Sequence, residues 1–288
     1  EEEMADKAIL YDPTRCTACR GCQVACKQWN ENNEYIPTVE NGVPTKMRGS
    51  YENPPDLSPQ TWLKMEFREH ATNGKVRWLF TRRACMHCTQ AGCVIVCPTK
   101  AVYHHELGYV AYNKDICVGC GYCVEACPFN VPRYTRNLIT GIAKMDKCTF
   151  CTTPSLDRIA QGWEPACVKT CPPLALLYGD RDGLVAEGRK RVTALQAKGY
   201  KNAYLYGEKE LQGLHLIYVL DDTPTAYGLP VNPRVPPISI AWKQAIQPLG
   251  WALGGMTILG LGLNYLVARA NVIREKEKKE DGAGSGKI

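Results

Sequence analysis

The sequence predicts an α+β protein built from two similar cysteine-rich modules and followed by one C-terminal membrane helix. Two observations predict this arrangement. All 16 cysteines of the 288-residue chain fall into four tight groups of four. Residues 244–268 form a run without a charged side chain. A chain of this length can bury a hydrophobic core without disulfide bonds, so the cysteine groups require another explanation.

The cysteine groups are the strongest signal in the sequence. In residues 117–128, "CVGCGYCVEACP", the cysteines follow the pattern CxxCxxCxxxCP. In proteins with two cubane clusters, three cysteines of this pattern hold one [4Fe-4S] cluster and the fourth holds the neighbouring cluster. The four groups are Cys16, Cys19, Cys22 and Cys26; Cys85, Cys88, Cys93 and Cys97; Cys117, Cys120, Cys123 and Cys127; and Cys148, Cys151, Cys167 and Cys171.

The other three groups depart slightly from this pattern. The second group has two extra residues before Cys93 and keeps the proline at Pro98. In the fourth group, fifteen residues separate Cys151 from Cys167. The first group has Lys27 where proline is usual. Each group still supplies the four thiolates that such a module uses.

Two other uses of cysteine compete with iron–sulfur ligation. A disulfide framework needs pairs with Cα atoms roughly 4.4–6.8 Å apart, and CxxC repeats crowd more thiols into one loop than such pairs need. A zinc site usually takes two cysteines from each of two separated knuckles, rather than three from one loop. Iron–sulfur ligation is therefore favoured. A zinc-binding scaffold protein remains the alternative from another class, and it predicts a colourless protein.

In this pattern, the fourth cysteine of each group binds the cluster held by another group, so the groups must act in pairs. The sequence therefore predicts two ferredoxin-like double-cluster modules with inserts. The two middle groups are neighbours and predict an inner module over residues 81–135. Between them, residues 101–113 alternate apolar and polar side chains around Gly108, as in a β-hairpin. By elimination, the outer groups predict a second module formed from residues 8–30 together with 142–180.

The same exchange assigns every cysteine to one of four [4Fe-4S] clusters, named A to D. The assigned ligands are Cys16, Cys19, Cys22 and Cys171 for cluster A; Cys148, Cys151, Cys167 and Cys26 for cluster B; Cys85, Cys88, Cys93 and Cys127 for cluster C; and Cys117, Cys120, Cys123 and Cys97 for cluster D. Because each cluster then has four thiolates, His87, His104 and His105 are not needed as ligands. No motif for a catalytic nucleophile, a nucleotide or a covalent haem is present, which indicates a non-catalytic chain.

The net charge has to be corrected for these clusters. The formal charge of +6 counts cysteines as neutral thiols, whereas a cubane with four thiolates carries about −2. Four clusters would add about −8 to +6 and leave about −2, so the charge does not indicate a nucleic-acid partner. Six cations lie near ligands in the sequence, namely Arg15, Arg20, Lys27, Lys144, Lys147 and Lys169. Of these, Lys27 is the one that we expect to lie between clusters.

Three stretches of residues 8–180 resemble a known family. They are "CTACRGCQVACKQWNE", "CMHCTQAGCVIVCP" and "CGYCVEACPFNVPRY". They are similar to the four-cluster electron-transfer subunits that partner molybdenum or tungsten bis-pterin oxidoreductases and some hydrogenases. The insert "NGVPTKMRGSYENPPDLSPQTWLKMEFRE" looks like the β (iron–sulfur) subunit of formate dehydrogenase in particular.

This resemblance implies a function and two protein partners. A catalytic α subunit with a molybdenum or tungsten bis-pterin would oxidise formate, and this chain would relay the electrons. A membrane cytochrome b γ subunit, carrying haem b, would receive them. The alternatives within electron transfer are the equivalent subunit of a membrane-bound nickel–iron hydrogenase or of another molybdopterin oxidoreductase.

The C-terminal part of the sequence predicts membrane attachment. After a four-cluster domain over residues 1–220, residues 221–240, with five prolines, predict a linker, and 241–268 predict a transmembrane helix. The 25 charge-free residues from Gln244 to Ala268 make a helix of about 37 Å, which can span a bilayer surrounded by membrane lipid. The helix has no histidine, so a haem in the membrane needs ligands from another subunit.

The charges that flank this helix predict its orientation. Arginine and lysine are concentrated in the tail, residues 269–288, and positive flanks stay on the cytoplasmic side. We therefore expect a single-pass protein of the cytoplasmic (inner) membrane, with its cluster domain on the periplasmic side and a charged cytoplasmic tail.

Overall fold

The computed structural model describes residues 6–32, 39–40, 43–44, 52, 54–72, 74–137, 139, 141, 143–152, 157–241 and 245–284. The chain divides into two compact units, residues 1–239 and 240–288, which are described separately. Ten of the 29 residues of the insert "NGVPTKMRGSYENPPDLSPQTWLKMEFRE" lie outside the described residues. So do short parts of the predicted outer module and membrane helix, and the last four residues of the predicted tail.

Strands and helices both occur in the first unit, and the second consists mainly of one long helix. The strands are β1 (Lys7–Tyr11), β2 (Val39–Glu40), β3 (Val43–Pro44), β4 (Lys64–Thr72), β5 (Lys75–Arg83), β6 (Val102–His104), β7 (Val110–Tyr112), β8 (Arg133–Arg136), β9 (Ala143–Asp146), β10 (Leu176–Asp180), β11 (Tyr204–Tyr206) and β12 (Leu216–Leu220). The helices are α1 (Gly21–Trp29), α2 (Gly92–Ile95), α3 (Tyr122–Glu125), α4 (Ala166–Lys169), α5 (Arg181–Ala197), α6 (Pro237–Ala241) and α7 (Gln247–Gly284).

A four-stranded sheet with the order β10-β1-β12-β11 forms one hydrophobic core. Strand β1 is antiparallel to β10 and parallel to β12, and β11 is antiparallel to β12. Alternating side chains of these strands, such as Leu10 on β1 and Ile217 and Val219 on β12, point to the face that α5 covers with Leu184. This period of two is what one face of a sheet requires when it is buried by a helix.

Four short helices follow the cysteine loops and carry ligands predicted from the sequence. Helix α1 packs against α4, and α2 packs against α3. The first contact joins segments that are more than a hundred residues apart, and the second joins neighbouring segments. The described helices therefore bring the outer two cysteine groups together, and likewise the inner two.

Two-stranded hairpins separate the cysteine groups along the chain. The hairpin predicted within residues 101–113 is confirmed, because β6 pairs with β7 from Val102 opposite Tyr112 to His104 opposite Val110. Its turn includes Gly108 with φ +84°, in the left-handed region that glycine occupies without strain. Strands β4 and β5 form a longer hairpin, and β8 pairs with β9.

The proline-rich segment predicted as a linker is attached to the first unit. Tyr227 is buried, and its carbonyl accepts a hydrogen bond of 2.8 Å from the hydroxyl of Thr81 on β5. The carbonyl of Pro230 accepts a bond of 2.9 Å from the hydroxyl of Tyr206 on β11. These contacts make the segment a strap that fixes β5 and β11.

The second unit contains α7, a helix that is long and apolar enough to cross a membrane over Gln247–Arg274. It is the one helix of this kind among the described residues. Its apolar side chains, such as Trp251 and Ile258, are exposed. The candidate span overlaps the membrane helix that the sequence predicts over residues 241–268.

Candidate iron–sulfur centre

The cysteines assigned to each cluster are called thiol sets A to D. Set A combines three cysteines before and within α1 with Cys171 after α4. The pKa of Cys22 is raised to about 12, mainly by burial, with smaller contributions from Cys16 and Cys171. Burial also raises the pKa of Cys16, with smaller effects of the same sign from Cys171 and Cys19. Cys16 therefore lies within electrostatic reach of Cys19 and Cys171, and Cys22 lies within reach of Cys16 and Cys171.

Set B joins the end of α1 to the fourth cysteine group. Cys26 is buried, and burial raises the pKa of its thiol far above the ordinary value. The next largest causes are the negative charges of Cys148, Cys151 and Cys167. These four cysteines come from distant parts of the sequence, and the fold brings them together.

Set C is built mainly from the second cysteine group. Burial raises the pKa of Cys88 well above its ordinary value, and Cys85, Cys127 and Cys93 follow as causes. The fourth member, Cys127, comes from the end of the third group. The contact between α2 and α3 positions it beside the other three.

Set D contains Cys123, whose pKa burial raises to about 12. The charges of Cys120, Cys117 and Cys97 add to this increase. Cys97 is the last cysteine of the second group, so sets C and D exchange their fourth members. A small apolar cavity at set D is lined by all four of these cysteines.

The four sets follow one another in a single order. Cys22 of set A is affected by the charge of Cys167 of set B. Cys148 of set B has its pKa raised to about 11, first by burial and also by Cys85 of set C. Cys93 of set C is affected by Cys123 of set D. The packing agrees, because Cys22 and Cys26 share α1, Cys148 packs in one hydrophobic cluster with Cys85, and Cys93 packs in another with Cys123. Together these relations give the order A–B–C–D.

The loops around the thiols have features that suit iron–sulfur clusters. The N–H of Ala18 donates to Cys16 Sγ at 3.3 Å, and the N–H of Ala166 donates to Cys151 Sγ at 3.4 Å. Such donors stabilise a thiolate. Crowding of soft sulfur ligands raises the thiol pKa values unless a metal replaces the protons. The donor set therefore fits [4Fe-4S] clusters.

Glycine is required where one of these loops passes close to another strand. Gly119, between Cys117 and Cys120, has φ +66°, and a Cβ atom there would lie 2.3 Å from the carbonyl oxygen of Ala143 on β9. No other residue type fits both the backbone conformation and this distance. Gly119 thereby fixes the ligand loop of set D against β9.

Two buried cations lie among the thiols. Arg82 on β5 is 1% exposed, and its Nη2 donates to Cys167 Sγ at 3.3 Å. Lys147 is equally buried, and its Nζ donates to the carbonyl oxygens of Val110 at 2.8 Å and Cys148 at 3.0 Å. Lys27, which we expected between clusters, is only partly buried. Sequence reasoning missed Arg82 because it lies outside the cysteine groups.

The three histidines considered above have different environments. His87 is buried, and its Nδ1 lies 3.0 Å from the carbonyl oxygen of Val110. Burial holds the pKa of His87 well below its ordinary value, and the charge of Lys147 acts in the same direction. His105 stacks on Tyr109 with ring centroids 4.6 Å apart, and His104 is exposed.

Comparison with known proteins agrees with the chemistry of these sites. Two family models, each described as a 4Fe-4S dicluster domain, match residues 76–181 and 15–101. The formate dehydrogenase, nitrate-inducible, iron–sulfur subunit of Escherichia coli (strain K12) is 38% identical over 266 residues, covering 91% of this chain and 85% of the relative. The chain belongs to the family of formate dehydrogenase iron–sulfur subunits.

Other relatives agree with this assignment. The formate dehydrogenase iron–sulfur subunit of Haemophilus influenzae is 36% identical over 275 residues, covering 94% of this chain and 83% of the relative. The hydrogenase-2 operon protein HybA of Escherichia coli O157:H7 is 28% identical over 291 residues, covering 87% of this chain and 83% of the relative. Family membership indicates electron transfer in an oxidoreductase complex, with [4Fe-4S] clusters as the carriers.

Proposed function

We propose that this chain is the electron-transfer subunit of a membrane-bound formate dehydrogenase. It carries electrons through four [4Fe-4S] clusters between a catalytic subunit with a molybdenum or tungsten bis-pterin and a membrane cytochrome b with haem b. The chain itself is non-catalytic. The observation that carries this proposal is the unbroken order of the thiol sets, A–B–C–D, in which neighbouring sets share a ligand helix or a hydrophobic cluster.

The ligand sets of the four clusters are those predicted from the spacing. Support comes from the grouping of the thiols. Sets B, C and D each contain a cysteine whose pKa responds to the other three members, and in set A the pKa of Cys22 responds to Cys16 and Cys171. When the clusters are bound, they supply the one-electron chemistry. The protein sets their positions, excludes water and provides N–H donors to sulfur.

The two ends of the series suit electron entry and exit. Cys19 in set A and Cys120 in set D are exposed, whereas the cysteines of sets B and C are buried or half-buried. Exposed apolar side chains lie in the same two ligand segments, with Val24 beside set A and Val118 beside set D. We therefore place one redox partner at each end.

Helix α7 anchors the chain in the cytoplasmic membrane as a single span. Its exposed apolar side chains over Gln247–Arg274 need lipid or another membrane helix as a partner. No histidine occurs in this span, so the haem of the membrane partner takes its ligands from that partner. Positive residues after the span place the C-terminal tail in the cytoplasm and the cluster unit on the periplasmic side.

A metal analysis of the intact complex tests this function. The tagged chain is extracted anaerobically in mild detergent, and iron, molybdenum, tungsten, nickel and zinc are measured by mass spectrometry. We expect about 16 iron atoms per chain, as four cubanes require, and molybdenum or tungsten near one per chain. Nickel in place of these metals would make the chain a hydrogenase subunit, and a colourless preparation with zinc would make it a scaffold protein.

A further inference from the structure

Arg82 is a buried cation without a carboxylate partner. None of the described Asp or Glu side chains forms an ion pair with it. By contrast, Lys64, which is equally buried on the adjacent strand, forms an ion pair of 2.8 Å with Glu52 and one of 3.8 Å with Glu66. An unpaired buried charge is costly, so a buried cation needs an opposite charge nearby. For Arg82, that charge has to come from the sulfur sites.

Arg82 contacts a thiol of set B on the helix that packs against the ligand helix of set A. Its Nη2 donates to Cys167 Sγ of set B at 3.3 Å. Cys167 lies on α4, which packs against α1, the helix that carries Cys22 of set A and Cys26 of set B. The guanidinium therefore faces the junction between sets A and B.

The fold holds Arg82 in this position from both sides. Its backbone carbonyl accepts a hydrogen bond from the hydroxyl of Tyr218 on β12, in the central sheet. The next residue back, Thr81, is bonded to the strap at Tyr227. Within the described part of the chain, Arg82 Nε has no hydrogen-bond acceptor although it is fully buried. A donor of this kind beside a thiol set fits a sulfur atom of a bound cluster.

We propose that Arg82 sets the reduction potential of the clusters at the junction of sets A and B. This inference rests on the proposed function, because it requires clusters at these cysteines. Reduction of a [4Fe-4S]²⁺ centre to the 1+ state adds one negative charge to a site that is already anionic. A fixed cation and an N–H donor to the thiolate stabilise the reduced state, which raises the potential. Lys147 differs, because it donates to two carbonyl oxygens rather than to sulfur.

The test is an EPR-monitored redox titration of the intact complex carrying Arg82→Met. We expect the equilibrium constant for one-electron reduction of at least one cluster to fall about tenfold, which is a downward shift of about 59 mV. Arg82→Lys keeps the charge and should retain most of the wild-type potential. Arg83→Met removes the same charge from the next residue, which pairs with Asp56 and Glu66, and should leave every cluster potential unchanged.

Three outcomes would overturn the proposal. The first is an Arg82→Met complex with wild-type iron content and unchanged potentials. The second is a shift in Arg82→Lys as large as that in Arg82→Met, because the charge would then not be the cause. The third is an equal shift in Arg83→Met. If Arg82→Met loses iron, Arg82→Gln, which is neutral but keeps N–H donors, gives the same comparison. Absence of cluster signals from the wild-type complex would instead contradict the proposed function.

Discussion

The outer thiol sets, A and B, and the inner sets, C and D, are built in different ways. The inner sets come from neighbouring segments that share the β6–β7 hairpin and a small core of their own, including Val102, Val110 and Met145. The outer sets depend on the contact between α1 and α4, whose sequences lie more than a hundred residues apart. The outer sets also receive Arg82 from the separate β4–β5 hairpin. Their assembly and electrostatics therefore depend on the whole first unit.

The largest effect should come from removing ligands, and it should differ between the two regions. In Cys85→Ala/Cys93→Ala, set C loses two ligands, and we expect the loss of about four iron atoms per chain. In Cys151→Ala/Cys167→Ala, we expect the loss of about eight, because the α1–α4 contact supports both A and B. Formate-dependent quinone reduction should fall in both by more than the roughly 10- to 100-fold typical of supporting groups. Equal iron losses would contradict the comparison.

A glycine-to-alanine substitution should have a larger effect in the crowded loop of set D than in an open turn of the outer region. Gly119→Ala introduces a Cβ atom 2.3 Å from the Ala143 carbonyl oxygen at φ +66°. Gly162→Ala has similar strain at φ +74° but no atom within 4 Å of the new Cβ. Strain alone costs about 1–3 kcal/mol, so Gly119→Ala should lower Tm and iron retention more than Gly162→Ala. Thermal unfolding under anaerobic conditions measures this, and equal values would mean that the contact with β9 is unimportant.

The apolar ends of the series provide a third comparison. An aspartate in a docking patch should weaken binding of the partner by about 1–2 kcal/mol, or roughly tenfold. Val118→Asp should therefore slow electron transfer at the set D end, and Val24→Asp at the set A end. Val76→Asp is the control, because Val76 on β5 is 60% exposed, close to the 62% of Val118, but lies outside the ligand loops. Stopped-flow measurement of electron transfer with each partner separately would show whether the two substitutions affect different partners.

The smallest effect concerns the link between the β4–β5 segment and the inner region. Burial acts to raise the pKa of Asp56, but bonds from Arg133 and the Leu57 N–H, together with the charge of Arg83, outweigh it and lower the pKa. A lowered carboxyl pKa adds stability above the unfolded-state value, and this stability is lost as the pH falls through the folded-state value. Because Asp56 is half-exposed, Asp56→Asn should cost less than about 1 kcal/mol at pH 7.

The pH dependence checks the sign of this effect. The difference in stability between Asp56→Asn and the wild-type chain should shrink as the pH is lowered into the range where Asp56 becomes protonated. Denaturant unfolding at several pH values measures the difference. A difference that grows on acidification would contradict the ion pairs with Arg83 and Arg133.

Local patterns in the sequence predicted much of this structure. The cysteine spacing separated the four groups, and the alternation around Gly108 located the β6–β7 hairpin. The pairing of the outer groups was available only by elimination, because no local pattern connects α1 to α4. Arg82 could not be found from its neighbours, since its position beside Cys167 depends on how β5 packs against the central sheet. From proximity to the ligands in the sequence, we expected Lys27 to be the cation that lies between clusters. In the structure, the cations buried among the thiols are Arg82 and Lys147.

The arrangement of the four clusters in a single series is tested most directly by interrupting it. In the complex carrying Cys85→Ala/Cys93→Ala, cluster C is missing, with A and B on one side and D on the other. Formate is added, samples are frozen within milliseconds, and the reduced clusters are identified by EPR. The series predicts that formate reduces clusters on one side of the gap only. Reduction of A, B and D together at the wild-type rate would show that electrons bypass cluster C.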